Sequence, residues 1–169
     1  MPKELKVPDD LKKKFEQLKL KLDKFKKLVL KEFFEYILGI ALLPPKPENK
    51  QDINVLVLVD DSDSKKMSKF ELRGKLSKII EKFANDVDKN IKTETLILSE
   101  LKENCFDGKY EILQLIAMSA QIYDPKEMLA AIKIAEVHKS MVLKKFEKYI
   151  MSYVAAGSLF RGDKKAHDI

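Results

Sequence analysis

The hydrophobic positions near the N-terminus follow a helical period. Asp9 and Asp10 are favourable residues at a helix start, because their carboxylates can accept hydrogen bonds from the first N–H groups. Apolar residues then recur at alternating spacings of four and three, which defines a heptad seam: Leu11, Phe15, Leu18, Leu22, Phe25 and Val29. The pattern predicts one long helix that continues or kinks through residues 33–42 and ends at the prolines of residues 44–47. The seam predicts packing within the chain or a homodimer through this helix.

The pattern then changes to a continuous apolar run. Residues 53–59 read Ile-Asn-Val-Leu-Val-Leu-Val, which predicts a strand buried on both faces in the centre of a sheet. Asp60, Asp61 and Asp63 follow this strand. Carboxylates at a strand end are compatible with a metal site. The alternative, which the Asp and Ser residues favour, is a loop that turns the chain and caps the next helix.

Helical and strand patterns alternate along the rest of the chain. Helical spacing predicts a helix over residues 66–83, and residues 92–98 predict a half-exposed or edge strand that carries Glu94. A long amphipathic helix is predicted over residues 126–153. The Lys and Arg side chains near one end of the 66–83 helix are candidates for phosphate contacts or for a solvated face: Lys65, Lys66, Lys69, Arg73 and Lys75. These elements predict an α+β fold with a small mixed β-sheet and flanking long helices.

Composition limits the class of protein. The 169 residues are enough for one ordinary domain, with 45% hydrophobic and 36% charged residues. No apolar run approaches the roughly 20 residues of a membrane helix, and the first residues lack a secretory pattern, so a cytoplasmic protein without a membrane partner is expected. Abundant Lys and Glu without Trp are typical of heat-adapted proteins. The net charge of +6 is compatible with a polyanionic partner, although interleaved acidic residues favour a solvated mixed-charge surface.

Two reactive residue types carry no further catalytic pattern. Cys105 is the single cysteine, so an intramolecular disulfide framework and a cysteine zinc cluster are excluded. His138 is distant from it in sequence and has no second His or clustered carboxylate nearby. Cysteine catalysis is therefore unsupported, and His138 is expected to be structural or exposed.

The C-terminal stretch contains a motif in which a Gly-Ser pair is followed by an Arg-Gly pair and an aspartate. The residues are Gly157, Ser158, Arg161, Gly162 and Asp168. This motif resembles the nucleotidyltransferases that are similar to DNA polymerase β. In that family the Gly-Ser pair opens a short helix that holds the incoming triphosphate, and an Asp-x-Asp pair on the next strand holds two magnesium ions. The second aspartate would be the residue after Ile169.

The resemblance implies a role for each matching residue. Gly157, Ser158 and Arg161 would bind the nucleotide, and Asp168 would be a catalytic Mg²⁺ ligand. A nucleoside triphosphate and a nucleic-acid acceptor are the partners it implies. Because the chain as given lacks a complete site, it is not expected to transfer nucleotides by itself.

An internal repeat extends the resemblance to the first half of the chain. Residues 29–38 align with residues 142–151, and Asp52 aligns with Asp168. The first copy has Leu-Leu-Pro-Pro in place of the Gly-Ser turn, and Asn54 stands where the second metal carboxylate is expected. An uncharged amide binds a hard divalent cation less well than a carboxylate does. The alternative is that two helices rich in Lys, Phe and Tyr align through shared composition.

The implied organisation has three parts. Residues 1–45 form an N-terminal amphipathic helical region, residues 46–125 a degenerate nucleotidyltransferase-like core, and residues 126–169 a long helix leading into a second module. Asp52 is the metal residue that survives in the first module. Glu94 is the acidic residue on the strand where the family has a third carboxylate, but the alternation of Lys92 and Glu94 with threonines equally suits an edge or half-exposed strand, so Glu94 is not expected to be a ligand. The chain is then the non-catalytic N-terminal part of a two-module magnesium-dependent nucleotidyltransferase. A nucleic-acid-binding module and a dimerisation module are the alternatives.

Overall fold

The structure is a computed structural model that describes residues 8–64, 67–107 and 109–154. Within these ranges the chain forms five α-helices, four strands and one 3₁₀ turn. In chain order they are α1 (Asp9–Phe33), β1 (Ile37–Leu42), β2 (Ile53–Val59), α2 (Lys69–Val87), β3 (Ile91–Ile97), α3 (Leu98–Phe106), α4 (Glu111–Met118), β4 (Ala120–Tyr123), α5 (Met128–Phe146) and the 3₁₀ turn Glu147–Tyr149. The predicted α+β class with a small mixed sheet and flanking helices is confirmed.

The four strands form one sheet in the order β3-β2-β1-β4. β2 is parallel to β3 and antiparallel to β1, and β4 pairs antiparallel with β1 on its other side. β2 therefore lies inside the sheet, and every residue of it after Ile53 is buried. The predicted central strand is confirmed, and β3 occupies the predicted edge position.

Helices cover both faces of the sheet, so the core has two parts. Successive side chains of a strand point to opposite faces. Val55, Val57 and Val59 of β2 pack with α1 and α2 in one part. Leu56 and Leu58 pack with α3, α4 and α5 in the other part.

The heptad seam of α1 is only half used inside the molecule. Leu22, Phe25 and Val29 are buried against the sheet, which confirms packing within the chain for the second half of the helix. Leu11 and Phe15 are exposed, Phe15 by 67%. The first turns of α1 therefore contribute no side chain to the core.

The prediction that residues 34–42 continue the first helix is wrong. α1 ends at Phe33, and residues 37–42 form β1, which lies between β2 and β4. Because β1 is covered on both faces, its residues are almost all apolar, and such a run cannot be distinguished from a buried helix by period alone. Gly39, which is unfavourable inside a helix, was the local signal against the helical interpretation. The region 1–45 is therefore not entirely helical, and α1 and β1 share a core with β2.

Two further elements differ from the sequence prediction. α5 ends at Phe146 instead of continuing to residue 153, and the 3₁₀ turn Glu147–Tyr149 follows it. β4 was not predicted as a strand; it is short and lies at the sheet edge beside β1. None of the helices in the described part of the chain combines the length and apolar character that crossing a membrane requires.

Candidate functional site

Most of the residues that the family resemblance selects lie outside the described ranges. The residues outside these ranges are Gly157, Ser158, Arg161 and Asp168. Asp52 is described, and it is half-buried one residue before β2, where its backbone N–H donates to the Asn49 carbonyl over 3.2 Å. The candidate site is therefore described around β2 and β3, which carry Asn54 and Glu94.

The register between β2 and β3 brings Asn54 and Glu94 together. Asn54 pairs with Lys92, and Leu56 pairs with Glu94. In a parallel pair the partners point to the same face of the sheet. Asn54, Lys92 and Glu94 therefore share one face, near the beginning of the two strands.

A cavity of about 340 Å³ lies at this place. Its lining residues come from the loop after β1, from β2, from α2 and from β3, and they are Leu43, Lys46, Asn54, Arg73, Lys92, Thr93 and Glu94. Three of these side chains are cationic and one is anionic. Asp52 is not among them.

The charged groups of the cavity are held by specific contacts. Arg73 Nε donates to the Thr95 carbonyl over 3.2 Å, and Arg73 Nη1 donates to Glu100 Oε1 over 2.7 Å. Lys92 Nζ donates to the Lys89 carbonyl over 3.0 Å. Arg73 was a candidate for a phosphate contact from the sequence. Lys46 and Lys92 were not, because their proximity depends on the β1–β2 loop and on the strand register.

The lining residues do not fit a magnesium ion. Mg²⁺ requires oxygen ligands in octahedral geometry, usually including carboxylates. The cavity offers one carboxylate, Glu94, among the cationic groups of Lys46, Arg73 and Lys92. Nowhere in the described residues do three or more His, Cys, Asp or Glu side chains cluster closely enough to hold a metal ion.

Two of the aspartates after β2, Asp60 and Asp61, have structural roles. Asp60 Oδ1 accepts the backbone N–H of Ser62 over 3.0 Å, which turns the chain. Asp61 Oδ1 accepts the backbone N–H of Ser99 over 2.9 Å, in the first turn of α3. Helix α2 is capped instead by Ser68, whose hydroxyl accepts the Glu71 N–H over 3.3 Å. The segment between β2 and α2 therefore turns the chain at Asp60, and its last residue, Ser68, caps the next helix, whereas Asp61 accepts an N–H group of α3.

The other basic candidates near the start of α2 are paired with carboxylates. Lys69 bonds to Glu103, and Lys75 Nζ lies 2.8 Å from Glu71 Oε1. Lys65 and Lys66 lie outside the described ranges. Within the described residues, Arg73 is the one member of this group that lines the cavity.

His138 and Cys105 do not form a catalytic pair. His138 Nδ1 lies 3.0 Å from the hydroxyl oxygen of Tyr153, and both residues are near the surface. Burial raises the pKa of the Cys105 thiol, which disfavours the reactive thiolate. The expectation that His138 is structural or exposed is confirmed.

The environment of Asp124 disfavours the charge of its carboxylate. Its Oδ2 accepts the N–H of Ala130 over 2.9 Å in the first turn of α5, and its Oδ1 is buried without a hydrogen-bond partner within residues 8–64, 67–107 and 109–154. Burial raises the pKa of Asp124, against the opposing effect of the N–H groups of Ala130, Leu129 and Met128.

We expect Asp124 to make stability fall as pH rises. Because its pKa is raised in the folded chain, the native state binds more protons than the unfolded state just above the ordinary aspartate range, so the free energy of unfolding decreases there with pH. Asp124→Asn should remove this decrease, since the amide is neutral and keeps an acceptor for Ala130. Urea unfolding between about pH 3 and pH 7 measures it. Asp63→Asn, which removes an exposed carboxylate, is the control. An unchanged pH slope in Asp124→Asn would contradict the assignment.

Comparison with protein-family models, with curated proteins and with solved structures found no match for this chain.

Proposed function

We propose that the described part of the chain is a degenerate nucleotidyltransferase-like module that does not bind catalytic magnesium. The observation that carries this proposal is the position of Asn54. Asn54 lies where the family resemblance places the second metal carboxylate. It shares a sheet face with Glu94, which lies on the strand where the family has its third carboxylate. The cations of Lys46, Arg73 and Lys92 occupy the same cavity, where they oppose a divalent metal.

We further propose that this module is the N-terminal part of a two-module nucleotidyltransferase. The ends of two helices support the repeat, because α1 ends at Phe33 and α5 ends at Phe146, which are the same position in the aligned segments. A short turn follows each helix. In the first copy the chain then enters β1 at Ile37, and in the second copy the corresponding residue, Ile150, is extended.

The exposure of the second copy also supports this organisation. Phe33 packs against the core and Leu38 is buried, whereas the corresponding Phe146 and Met151 are exposed. Large apolar side chains are normally covered. A second sheet that follows residue 151 in a longer chain would cover these positions as the first sheet covers their counterparts.

The test compares two aspartates that occupy the same repeat position. Transfer of a labelled nucleoside triphosphate to RNA in the presence of Mg²⁺ is measured for residues 1–169 and for the chain isolated from its own cells, whose intact mass is determined first. No transfer is expected from residues 1–169. In a longer natural chain, Asp168→Ala should lower the rate by about 10³-fold or more, because a metal ligand stabilises the transition state by several kcal/mol. Asp52→Ala should leave the rate within about twofold.

Two results would contradict the proposal. One is magnesium-dependent transfer by residues 1–169 alone. The other is an equal loss of activity in Asp52→Ala and Asp168→Ala, since it would place a working metal ligand in the first module.

A second candidate function is self-association through α1. The observation that favours it is the exposed first half of the heptad seam, which includes Leu11 and Phe15. Sedimentation of the 19.5 kDa chain at micromolar concentration tests it. A dimer that Leu11→Asp converts to a monomer would support self-association, and a monomer at all concentrations would exclude it.

A further inference from the structure

One residue that lines the cavity has a buried hydrogen-bond donor without a partner in the described part of the chain. Asn54 is 6% exposed and lines the cavity, and its side-chain Nδ2 has no hydrogen-bond acceptor among the described residues. Buried amide groups in native proteins are nearly always paired, because an unpaired donor loses its hydrogen bonds to water. The Nδ2 atom itself is covered, so a ligand oxygen in the cavity would satisfy this donor after the Asn54 side chain rotates toward the cavity.

The same cavity has cationic groups with more N–H donors than their contacts within the described residues use. Lys46 and Lys92 are exposed side chains at its edge. Arg73 uses Nε and Nη1 in its contacts with Thr95 and Glu100, and a guanidinium has five N–H donors. The fixed guanidinium is therefore oriented by the protein and still has N–H groups for a ligand.

We propose that this cavity binds the phosphate group of a small organic phosphate directly, without a metal ion. The Asn54 amide and the cations of Lys46, Arg73 and Lys92 hold the phosphate oxygens. The proposal depends on the cavity itself, so it does not require the nucleotidyltransferase resemblance.

Charge and size favour an organic phosphate over inorganic phosphate. Charge-assisted hydrogen bonds from Arg and Lys select a multiply charged oxyanion. Glu94 would repel part of a purely anionic ligand, but it accepts a hydrogen bond from a hydroxyl or amino group beside the phosphate. The volume of about 340 Å³ is at the lower end of small-molecule sites, which span roughly 300–1,000 Å³. A nucleotide supplies both the phosphate and the neighbouring donors.

The experiment titrates ¹⁵N-labelled residues 1–169 with AMP in EDTA and follows the side-chain amide signals of Asn54 by NMR. We expect a saturable shift of these signals with a Kd of about 1 mM or tighter. Lys92→Ala should weaken binding about tenfold, the effect of losing one charge-assisted hydrogen bond. Lys82→Ala is the matched control, because Lys82 is an exposed lysine of α2 outside the cavity, and it should change the Kd by less than about twofold.

Asn54→Asp separates a phosphate site from a relic metal site. In EDTA the added carboxylate should abolish AMP binding, and the backbone spectrum shows whether this variant is folded. If Asn54→Asp does not fold, Lys92→Ala still tests the site, because Lys92 is exposed and its replacement removes no buried contact. Binding by the original chain that appears only after Mg²⁺ is added would overturn the proposal. Equal weakening by Lys82→Ala and Lys92→Ala would overturn it as well.

A second titration with a short single-stranded RNA identifies the source of the phosphate. If a nucleic-acid backbone is the ligand, RNA competes with AMP at Asn54, binds more tightly, and weakens steeply with added salt. If a free nucleotide is the ligand, AMP shifts the Asn54 signals and RNA does not. Absence of any Asn54 shift with AMP or RNA in EDTA would refute the site. Such a failure to bind would not affect the two-module proposal, which is tested separately by the transfer rates of Asp52→Ala and Asp168→Ala.

Discussion

Replacing Phe25 by alanine is expected to lower the free energy of unfolding by about 3–5 kcal/mol. Phe25 is fully buried in the core between α1, α2 and the sheet, so its removal leaves a cavity as well as lost apolar burial. Phe15→Ala on the same helix is expected to lower it by less than about 0.5 kcal/mol, because Phe15 is exposed. The first loss is a large fraction of the roughly 5–15 kcal/mol that stabilises a domain.

The two variants are matched controls for each other. Both replace phenylalanine by alanine in α1 at a position of the heptad seam, so the change in helix propensity is similar and the difference in stability isolates burial. Urea unfolding followed by circular dichroism at low micromolar protein measures both. Equal losses would contradict the described packing of α1. A Phe15→Ala loss that grows with protein concentration would instead identify a dimer through the exposed part of the seam.

The two strands that carry the candidate site could be predicted from the sequence. β2 was predicted with its observed bounds, and β3 was predicted one residue late. Both are rich in β-branched residues and are bounded by Asp, Asn and Ser, so their pattern differs clearly from a helical period. The sequence places Asn54 on the first of these strands and Glu94 on the second, and the structure adds that the two strands are neighbours.

The cavity, in contrast, could not be predicted from the sequence. It requires the parallel register that places Asn54 beside Lys92, and it requires Arg73 to reach the edge of β3, where its Nε bonds to the Thr95 carbonyl. Register and edge position depend on which strands are neighbours. Because β1 was read as helix and β4 was missed, the strand order β3-β2-β1-β4 could not be assembled from the sequence.

The burial of β1 also explains why its single glycine matters. A Cβ atom added to Gly39 would lie 2.6 Å from Leu129 Cδ1 and 2.8 Å from Leu129 Cγ, which is too close without movement. Leu129 belongs to α5 and is 1% exposed, so its side chain has no free space to occupy. Gly39 therefore allows α5 to pack closely on the sheet.

Gly39→Ala is expected to lower the free energy of unfolding by about 1–3 kcal/mol through overpacking. Leu129→Ala should lower it by about 2–5 kcal/mol, because it deletes a buried side chain. If the Cβ contact is the cause, the double variant should lose less than the sum of the two single losses, with a coupling of about 0.5–3 kcal/mol. Urea unfolding of the four proteins measures this coupling. Strictly additive losses would show instead that Gly39 is required for the backbone of β1 itself, where the register with β2 shifts between Ile37 and Gly39.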